Sequence, residues 1–572
     1  MRAFRRNSSE ATPGVEWPVK LASSASIDAP LQAGAPWIVA MASVPKARVS
    51  ADVAAVLNAL DGVRNPAQVA QYLGIPWTAA DVMGIVRQLA KTGIFDAGKQ
   101  PSGNGRIQFR PPLTVQLTLF NPAPLLQSIR PLMTTVSGPK AVAAAVLLLL
   151  GGVAGVFIAG PSIGRVLSTP LPLEAYLFVA VAMFASTLLH EFGHGLALTC
   201  CGGTPRRIGI MLFYLSPAFF CDVTDGWRLG SRKQRVFVAL AGPLVHLGLG
   251  SFALSVHGFL PVSWLQDAVL LYGVICYAVA ILNLFPFIKL DGYVALMSAV
   301  DVPHLRNKSL SVTGDFVSSH VLGSLPKYRS YGWLAWFGLA SFVSGIGFMV
   351  IGYQRLVPVF LQLGIAGHIV VAVVLCLLLT MAGRSIVRFF STAAANGSPL
   401  WRRAFAALLG TLAITLLAVF IPVKAVTVAG YTYSDGALQI VMPPDAAGRT
   451  IRPGDEVVLQ SQGMIFHEKL GSATIGDQPP SGSLAPLDTI VPIALEGNSL
   501  PVLAYPSHLT GESKLAAAER LPVSGRAEVT SQRHVSLGEW LWDSVTHSML
   551  WPGRNADASD HSKTEDSMKG HS

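Results

Sequence analysis

The chain has 572 residues, 51% of them hydrophobic and 13% charged, and its mean hydropathy is +0.49. An ordinary soluble domain is about a quarter charged, so much of this chain belongs where charge is costly, and a wholly soluble protein is excluded. The net charge of +10 does not point to nucleic acid, because Lys and Arg fall in short clusters beside apolar runs, as membrane-flanking positives do.

Cys200, Cys201, Cys221, Cys276 and Cys376 lie in or beside the apolar region, so neither a disulfide framework nor a CxxC zinc knuckle is indicated. Arg2, Arg5 and Arg6 open the chain without an apolar core behind them, which is not a signal peptide.

Residues 1–110 are soluble in character. Trp37–Met41 reads as a short strand, followed by three helical patterns. Ala51–Leu60 repeats apolar residues and stops at Asp61-Gly62. Pro66–Leu73 has Asn65 as its cap. Thr78–Leu89 stops at Gly93. This is the pattern of a small winged-helix-like domain, and a generic helical domain fits it as well.

Residues 111–422 form the expected membrane core. A span needs about 20 apolar residues, and about seven stretches qualify, near 141–160, 174–199, 236–258, 266–286, 333–352, 358–381 and 404–422. The segment Ile208–Phe220 is apolar but short and interrupted by Gly209, Ser216 and Pro217, which suits a re-entrant hairpin packed on protein.

Residues 423–535 switch to β-formers between Gly, Pro and Asp turns, as in Val423–Val428, Leu438–Val441 and Glu456–Leu459, and predict a small β domain, a barrel or a sandwich. Residues 536–572 hold a possible interfacial segment, Ser536–Trp542, and a polar, disorder-prone tail. The fold class is therefore a mostly α membrane protein with about seven transmembrane helices, an N-terminal winged-helix-like domain and a C-terminal β domain.

Positive charge sets the expected orientation. Arg206, Arg207, Arg228, Arg232, Lys233 and Arg235 lie between the second and third spans. Arg306, Lys308, Lys327 and Arg329 follow the fourth, and Arg384, Arg388, Arg402 and Arg403 the sixth. The alternate loops are poor in positive charge. A multi-pass plasma-membrane protein with its N-terminal module cytoplasmic and, for seven spans, its β domain on the far side is expected.

The chemistry lies in two segments. In His190-Glu191-Phe192-Gly193-His194 the histidines are one helical turn apart on one face, so both imidazoles can reach one ion. Glu191 can project toward a water beside that ion as general base. Zinc suits imidazole and carboxylate ligands with a position left open. Polar residues within a span are costly unless used, which outweighs a purely structural pairing. A third protein ligand is missing, and Asp291, in Asn283-Leu284-Phe285-Pro286-Phe287-Ile288-Lys289-Leu290-Asp291-Gly292, is the one acid at the end of the fourth span. Pro286 and Gly292 let the helix break there. Alone, Asp291-Gly292 would read as a turn.

HExxH in one span with N-x-x-P-x-x-x-L-D-G in a later one resembles the site-2 protease family of intramembrane metalloproteases, over roughly residues 174–300. The resemblance implies Zn2+ held by His190, His194 and Asp291, Glu191 as catalytic base, and Asn283 holding substrate or stabilising the oxyanion. Ala241-Gly242-Pro243 matches the family pattern. His246 departs from it, since relatives often carry Asn or Glu there, and reads first as a core histidine, with a pocket or metal-proximal role as the alternative.

Residues 215–235 look like the branch found with ribosomally made, post-translationally modified peptides. Asp225 reads as structural there, and Asp222 stays open between cleft and cap. Arg48–Phe95 is similar to the small precursor-recognition domains related to pyrroloquinoline quinone biosynthesis protein D, which bind leader peptides at a sheet edge. The β domain is similar to adaptor subunits of bacterial secretion systems.

The expected function is hydrolysis of a peptide bond in a leader-bearing precursor peptide. The expected partners are that precursor, the lipid bilayer, and peptide-modifying enzymes or an exporter; no nucleic acid is expected. A regulatory protease that clips a membrane-bound anti-sigma factor shares the chemistry. A non-enzymatic peptide export subunit is the alternative of another class.

Overall fold

The computed structural model describes residues 17–539, apart from 24, 32–35, 42–43, 91, 96–106, 111–113, 137, 214–215, 329, 362–363, 421, 435, 444–450, 464–465, 495–498, 511–520 and 537. Packing divides the chain into two compact units, Met1–Ala159 with Phe178–Pro303, and Gly160–Leu177 with His304–Ser572.

The first unit begins with an antiparallel three-stranded sheet, β1 (Ala25–Asp28), β2 (Trp37–Met41) and β3 (Val44–Val49), in that order. Three helices follow, α1 (Ala51–Asn58), α2 (Pro66–Leu73) and α3 (Ala79–Ala90). Their boundaries lie within two residues of the sequence expectation because the caps are strong. Ser50 accepts from Val53 N, Asn65 and Gln68 exchange a capping box ahead of Pro66, and Thr78 and Asp81 bond each other reciprocally. Val39, Val56, Leu57, Val69, Val82, Val86 and Ile94 form the core between sheet and helices. Asn65→Ala is expected to cost about 1 kcal/mol, read as faster amide exchange through α2.

The module is fastened to the rest of its unit. Arg48 Nη1 donates to Asp301 Oδ1 at 2.9 Å, Arg235 Nη2 to the same oxygen at 2.8 Å, and the Arg48 guanidinium lies over Trp227. The hydrogen bond from Arg48 holds the Asp301 carboxyl below its ordinary value of 3.8; burial opposes this, and the charges of Arg48, Arg235 and Arg232 reinforce it. The folded value is the depressed one, so the contact contributes fully above pH 3.8 and is lost as the pH falls through the lower folded value. Limited proteolysis between module and core is thus expected to be unchanged from about pH 7 to pH 5 and to accelerate in Arg48→Ala.

Strands β4 (Ile107–Arg110) and β5 (Thr114–Phe120) lead into α4 (Ala123–Val136) and α5 (Pro139–Ile158). After α6 (Gly160–Ser168) and the short β6 (Leu171–Pro172) comes the 28-residue α7 (Leu173–Cys200). The expected re-entrant segment is a β-hairpin, β7 (Ile208–Phe213) and β8 (Ser216–Cys221), which completes a sheet of order β4-β5-β7-β8. The helices α8 (Arg232–Val256), α9 (Trp264–Asn283) and α10 (Asp291–Val300) complete the unit.

The second unit contains α6, β6, the first turn of α7, and then α11 (Leu305–Val321), α12 (Gly332–Leu361), α13 (Gly364–Ala395) and α14 (Leu400–Phe420). Across both units, seven helices among the described residues are long and apolar enough to cross a membrane: Pro139–Ile158, Leu173–Cys200, Arg232–Phe259, Trp264–Asn283, Gly332–Gly352, Ile369–Ala395 and Leu400–Phe420. These are the seven expected stretches, with the sixth displaced toward the C-terminus.

The β region resolves the choice between barrel and sandwich. It comprises β9 (Pro422–Ser434), β10 (Ala437–Met442), β11 (Glu456–Gln460), β12 (Lys469–Ile475), β13 (Ser481–Pro486), β14 (Ile493–Ala494), β15 (Ser499–Thr510) and β16 (Ser524–Ser536). The order β10-β9-β16-β11-β12-β15 closes through a β10–β15 pairing, so the sheet is a barrel with no open edge among those six strands. Tyr431, Ile440, Leu459, Val457, Ala527 and Val529 fill it. Within this unit the barrel is tied to the start of α7, where Tyr176 donates to Pro492 O at 2.6 Å and β6 pairs with β14. Ser536 and Glu539 exchange a capping box at the start of the expected interfacial segment, whose remainder, like the tail, lies outside the described residues.

Candidate metal centre

The site is built by three helices of the first unit. α7 presents His190 and His194, both buried, from successive turns of one face. α9 stops at Asn283, and α10 begins at Asp291 after a short turn that includes Pro286. Gly292 permits that return, because its backbone presses on the end of α9 and a Cβ there would overlap the Leu284 carbonyl. Asp291-Gly292 is therefore more than a surface turn: it aims a carboxylate back at α7.

Asp291 Oδ2 lies 3.1 Å from His190 Nε2, and Oδ1 lies 3.4 Å from His194 Nε2. The two Nε2 atoms are 3.2 Å apart. Among the described residues, His190, His194 and Asp291 are the group of acidic, histidine or cysteine side chains that could hold a metal, with one ligand atom from each within 4.8 Å of the others.

The third helix shapes the site from behind. Val238, Gly242 and His246 recur every fourth residue and form one stripe of α8. His194 Nδ1 lies 2.7 Å from Val238 O. A carbonyl only accepts, so Nδ1 carries a proton and Nε2 is the ring nitrogen that faces the cluster. Gly242 lies beneath both rings, where a Cβ would overlap His190 Nε2 and His194 Nε2. His246, 1% exposed, places Nδ1 2.9 Å from His190 Nδ1.

Glu191 points from the same helix toward the β-hairpin. Its Oε2 accepts from Cys221 N at 2.8 Å. Phe184 packs edge-on against Phe219, and Phe192 approaches Phe120, so the sheet lies along the Glu191 side of α7. Burial, reinforced by the charges of Glu191 and Asp222, pushes the Cys221 thiol up to about 12. It is a neutral thiol near neutral pH and offers no competing nucleophile.

Two imidazole nitrogens and one carboxylate are a donor set that zinc takes, with a position left open for water. The Cβ-free floor at Gly242 leaves the space such an ion needs. Residues and space both fit.

A protein of Synechocystis sp. (strain ATCC 27184 / PCC 6803 / Kazusa), "Putative zinc metalloprotease sll0528", is 31% identical to this chain over 171 residues, 30% of this chain and 41% of the relative. The likeness is to a protein that carries the name of a zinc metalloprotease. The chain spans less than half of that relative's length, no protein-family profile matches it, and no solved structure does.

The other residues singled out by sequence fall elsewhere. Asn283 is the last residue of α9, half-buried, with no hydrogen bond to the three clustered side chains. Asp225 is buried, takes Thr204 N at 2.9 Å and pairs with Arg228, the structural role expected of it. Asp222, left open by the sequence, is structural too: it pairs with Arg207 at 2.9 Å and caps the turn at Thr224. His246 is a buried histidine as read, but it touches His190 rather than sitting in a general core. Sequence reasoning did not single out Val238 and Cys221, which act through backbone atoms and leave no side-chain signal. Gly242 stood only as part of a matched pattern, and its neighbour Pro243 inside an apolar helix was the available clue.

Proposed function

We propose that this protein is an intramembrane zinc metalloprotease of the site-2 protease kind, which hydrolyses a peptide bond of a leader-bearing precursor peptide near the cytoplasmic face. The convergence of His190, His194 and Asp291 from two separate helices carries this reading. The zinc-metalloprotease likeness of the Synechocystis relative supports it.

Zinc, when bound, acts as a Lewis acid that polarises the scissile carbonyl and activates water. His190, His194 and Asp291 would hold it. Glu191 removes a proton from the attacking water and returns it to the departing amine. A carboxylate on the helix bearing two of the ligands is placed for this without a conformational search.

A helical substrate shields its own peptide bonds, so the substrate must be extended at the point of cleavage. The β8 edge suits that need. β8 ends the four-stranded sheet, and Cys221 N–H points away from β7 and onto Glu191. A peptide added along this edge would run past the catalytic carboxylate. The N-terminal module, whose β1 and β3 are both sheet edges, serves in this reading to capture the leader, and the barrel stands on the far side of the membrane.

Purified protein in detergent, incubated with a short leader-bearing precursor peptide, provides the test. Cleavage at one bond, stopped by 1,10-phenanthroline and restored by added zinc, is the expected result. Cleavage that continues in the chelator would overturn the zinc reading, and a protein that neither cleaves nor holds stoichiometric zinc would favour the non-enzymatic export role.

A further inference from the structure

We infer that His246 is a positioning residue that accepts the Nδ1 proton of His190 and so leaves His190 Nε2 free for an ion. The inference rests on the zinc reading of the site and deepens it. His190 and His194 face the cluster through Nε2, so each must keep its proton on Nδ1 to offer a lone pair to an ion. For His194 the Val238 carbonyl enforces this, because it can only accept. His190 has no such carbonyl. Its Nδ1 meets the Nδ1 of another imidazole at 2.9 Å, and a ring nitrogen can donate or accept.

The two rings therefore share one proton between their Nδ1 atoms, and the choice is binary. If His246 Nδ1 accepts, His190 Nδ1 donates and His190 Nε2 is free to ligate. If His246 Nδ1 donates, the His190 proton moves to Nε2 and blocks the ligand position. The competent arrangement places the His246 proton on Nε2. That atom is buried, with no protein partner among the described residues, so no protein acceptor stabilises this tautomer from the other side.

His246 is held for this role by the helix that carries it. It lies one turn beyond Gly242 and two beyond Val238, so one α8 stripe fixes the His194 proton, leaves room between the two Nε2 atoms, and meets His190 from behind. Ligating histidines generally depend on a partner for the second ring nitrogen, and losing that partner typically costs about 10- to 100-fold in metal affinity. Here the partner is an imidazole where a fixed acceptor would be the simpler choice.

Two variants separate proton selection from packing. His246→Asn keeps an acceptor oxygen, whereas His246→Leu keeps bulk without an acceptor. Full-length protein in detergent is titrated with zinc in a competing chelator, and its cobalt-substituted form is read by visible absorption. The Leu variant is expected to bind zinc about 10- to 100-fold more weakly with an altered cobalt spectrum, and the Asn variant to stay within a few-fold of wild type with the native spectrum.

Equal affinity and spectra for wild type and Leu variant would overturn the inference, as would equal losses in both variants, which would mark His246 as packing alone. Should the Leu variant fail to fold, imidazole 15N shifts of the wild-type zinc protein decide: a His246 protonated on Nε2 supports the assignment, and one protonated on Nδ1 overturns it. A wild type that takes up neither metal would bring down the zinc reading and this inference together. A metal-binding wild type matched by the Leu variant would bring down this inference alone.

Discussion

Glu191→Gln is expected to abolish precursor cleavage while leaving zinc in place. The amide matches the carboxylate in size and can still accept from Cys221 N, so the local fold has no reason to move. His190, His194 and Asp291 are untouched, and metal content should equal that of wild type. The amide cannot take a proton from water at neutral pH, and positioned general bases contribute about 100- to 10,000-fold, so the initial rate should fall by that order. Rate and zinc content must be measured on the same preparation. Full activity in this variant would remove the central claim. Loss of zinc together with activity would instead make Glu191 a part of site assembly.

The sequence exposed those parts of the fold that depend on local runs. Six of the seven apolar helices lie where a 20-residue apolar window places them, because the bilayer requirement is a property of consecutive residues. The sixth differs for a physical reason: hydropathy falls at Arg384 and Arg388, yet α13 continues to Ala395, since a helix need not end where it becomes polar. The sheets were hidden because their partners are distant in sequence. β7 reads as an interrupted apolar segment until β5, about ninety residues earlier, pairs with it from Thr114↔Phe213 to Phe120↔Ile208. Barrel closure through Leu438↔Ser507 is of the same kind. In the site, histidines four apart and an Asp after a broken helix were legible because ligand chemistry demands those side chains. The atoms that orient them were not, because Val238 and Cys221 act through backbone groups and Gly242 by having no side chain.

That last point yields the second large effect. Gly242→Ala adds a single methyl group, ordinarily a mild or even favourable change inside a helix. At this position the new Cβ would overlap the Nε2 atoms of both His190 and His194. Neither ring can readily step aside: His194 is tethered to Val238 O at 2.7 Å and His190 to His246 at 2.9 Å, both partners lying on the helix that carries the added methyl. Relief must come from separating α7 and α8 or from turning the imidazoles, and either moves the ligand atoms away from Asp291. Displacements of about 1 Å at a catalytic constellation cost on the order of 100-fold in rate, and this one acts on two ligands at once. Gly242→Ala should therefore lower zinc affinity and cleavage together, with the protein still folded and inserted by circular dichroism and detergent chromatography. Gly248→Ala, on the same helix but with no atom within 4 Å of the added Cβ, should leave both at wild-type values. If the two variants behave alike, the floor beneath the histidines is not what sets the metal site.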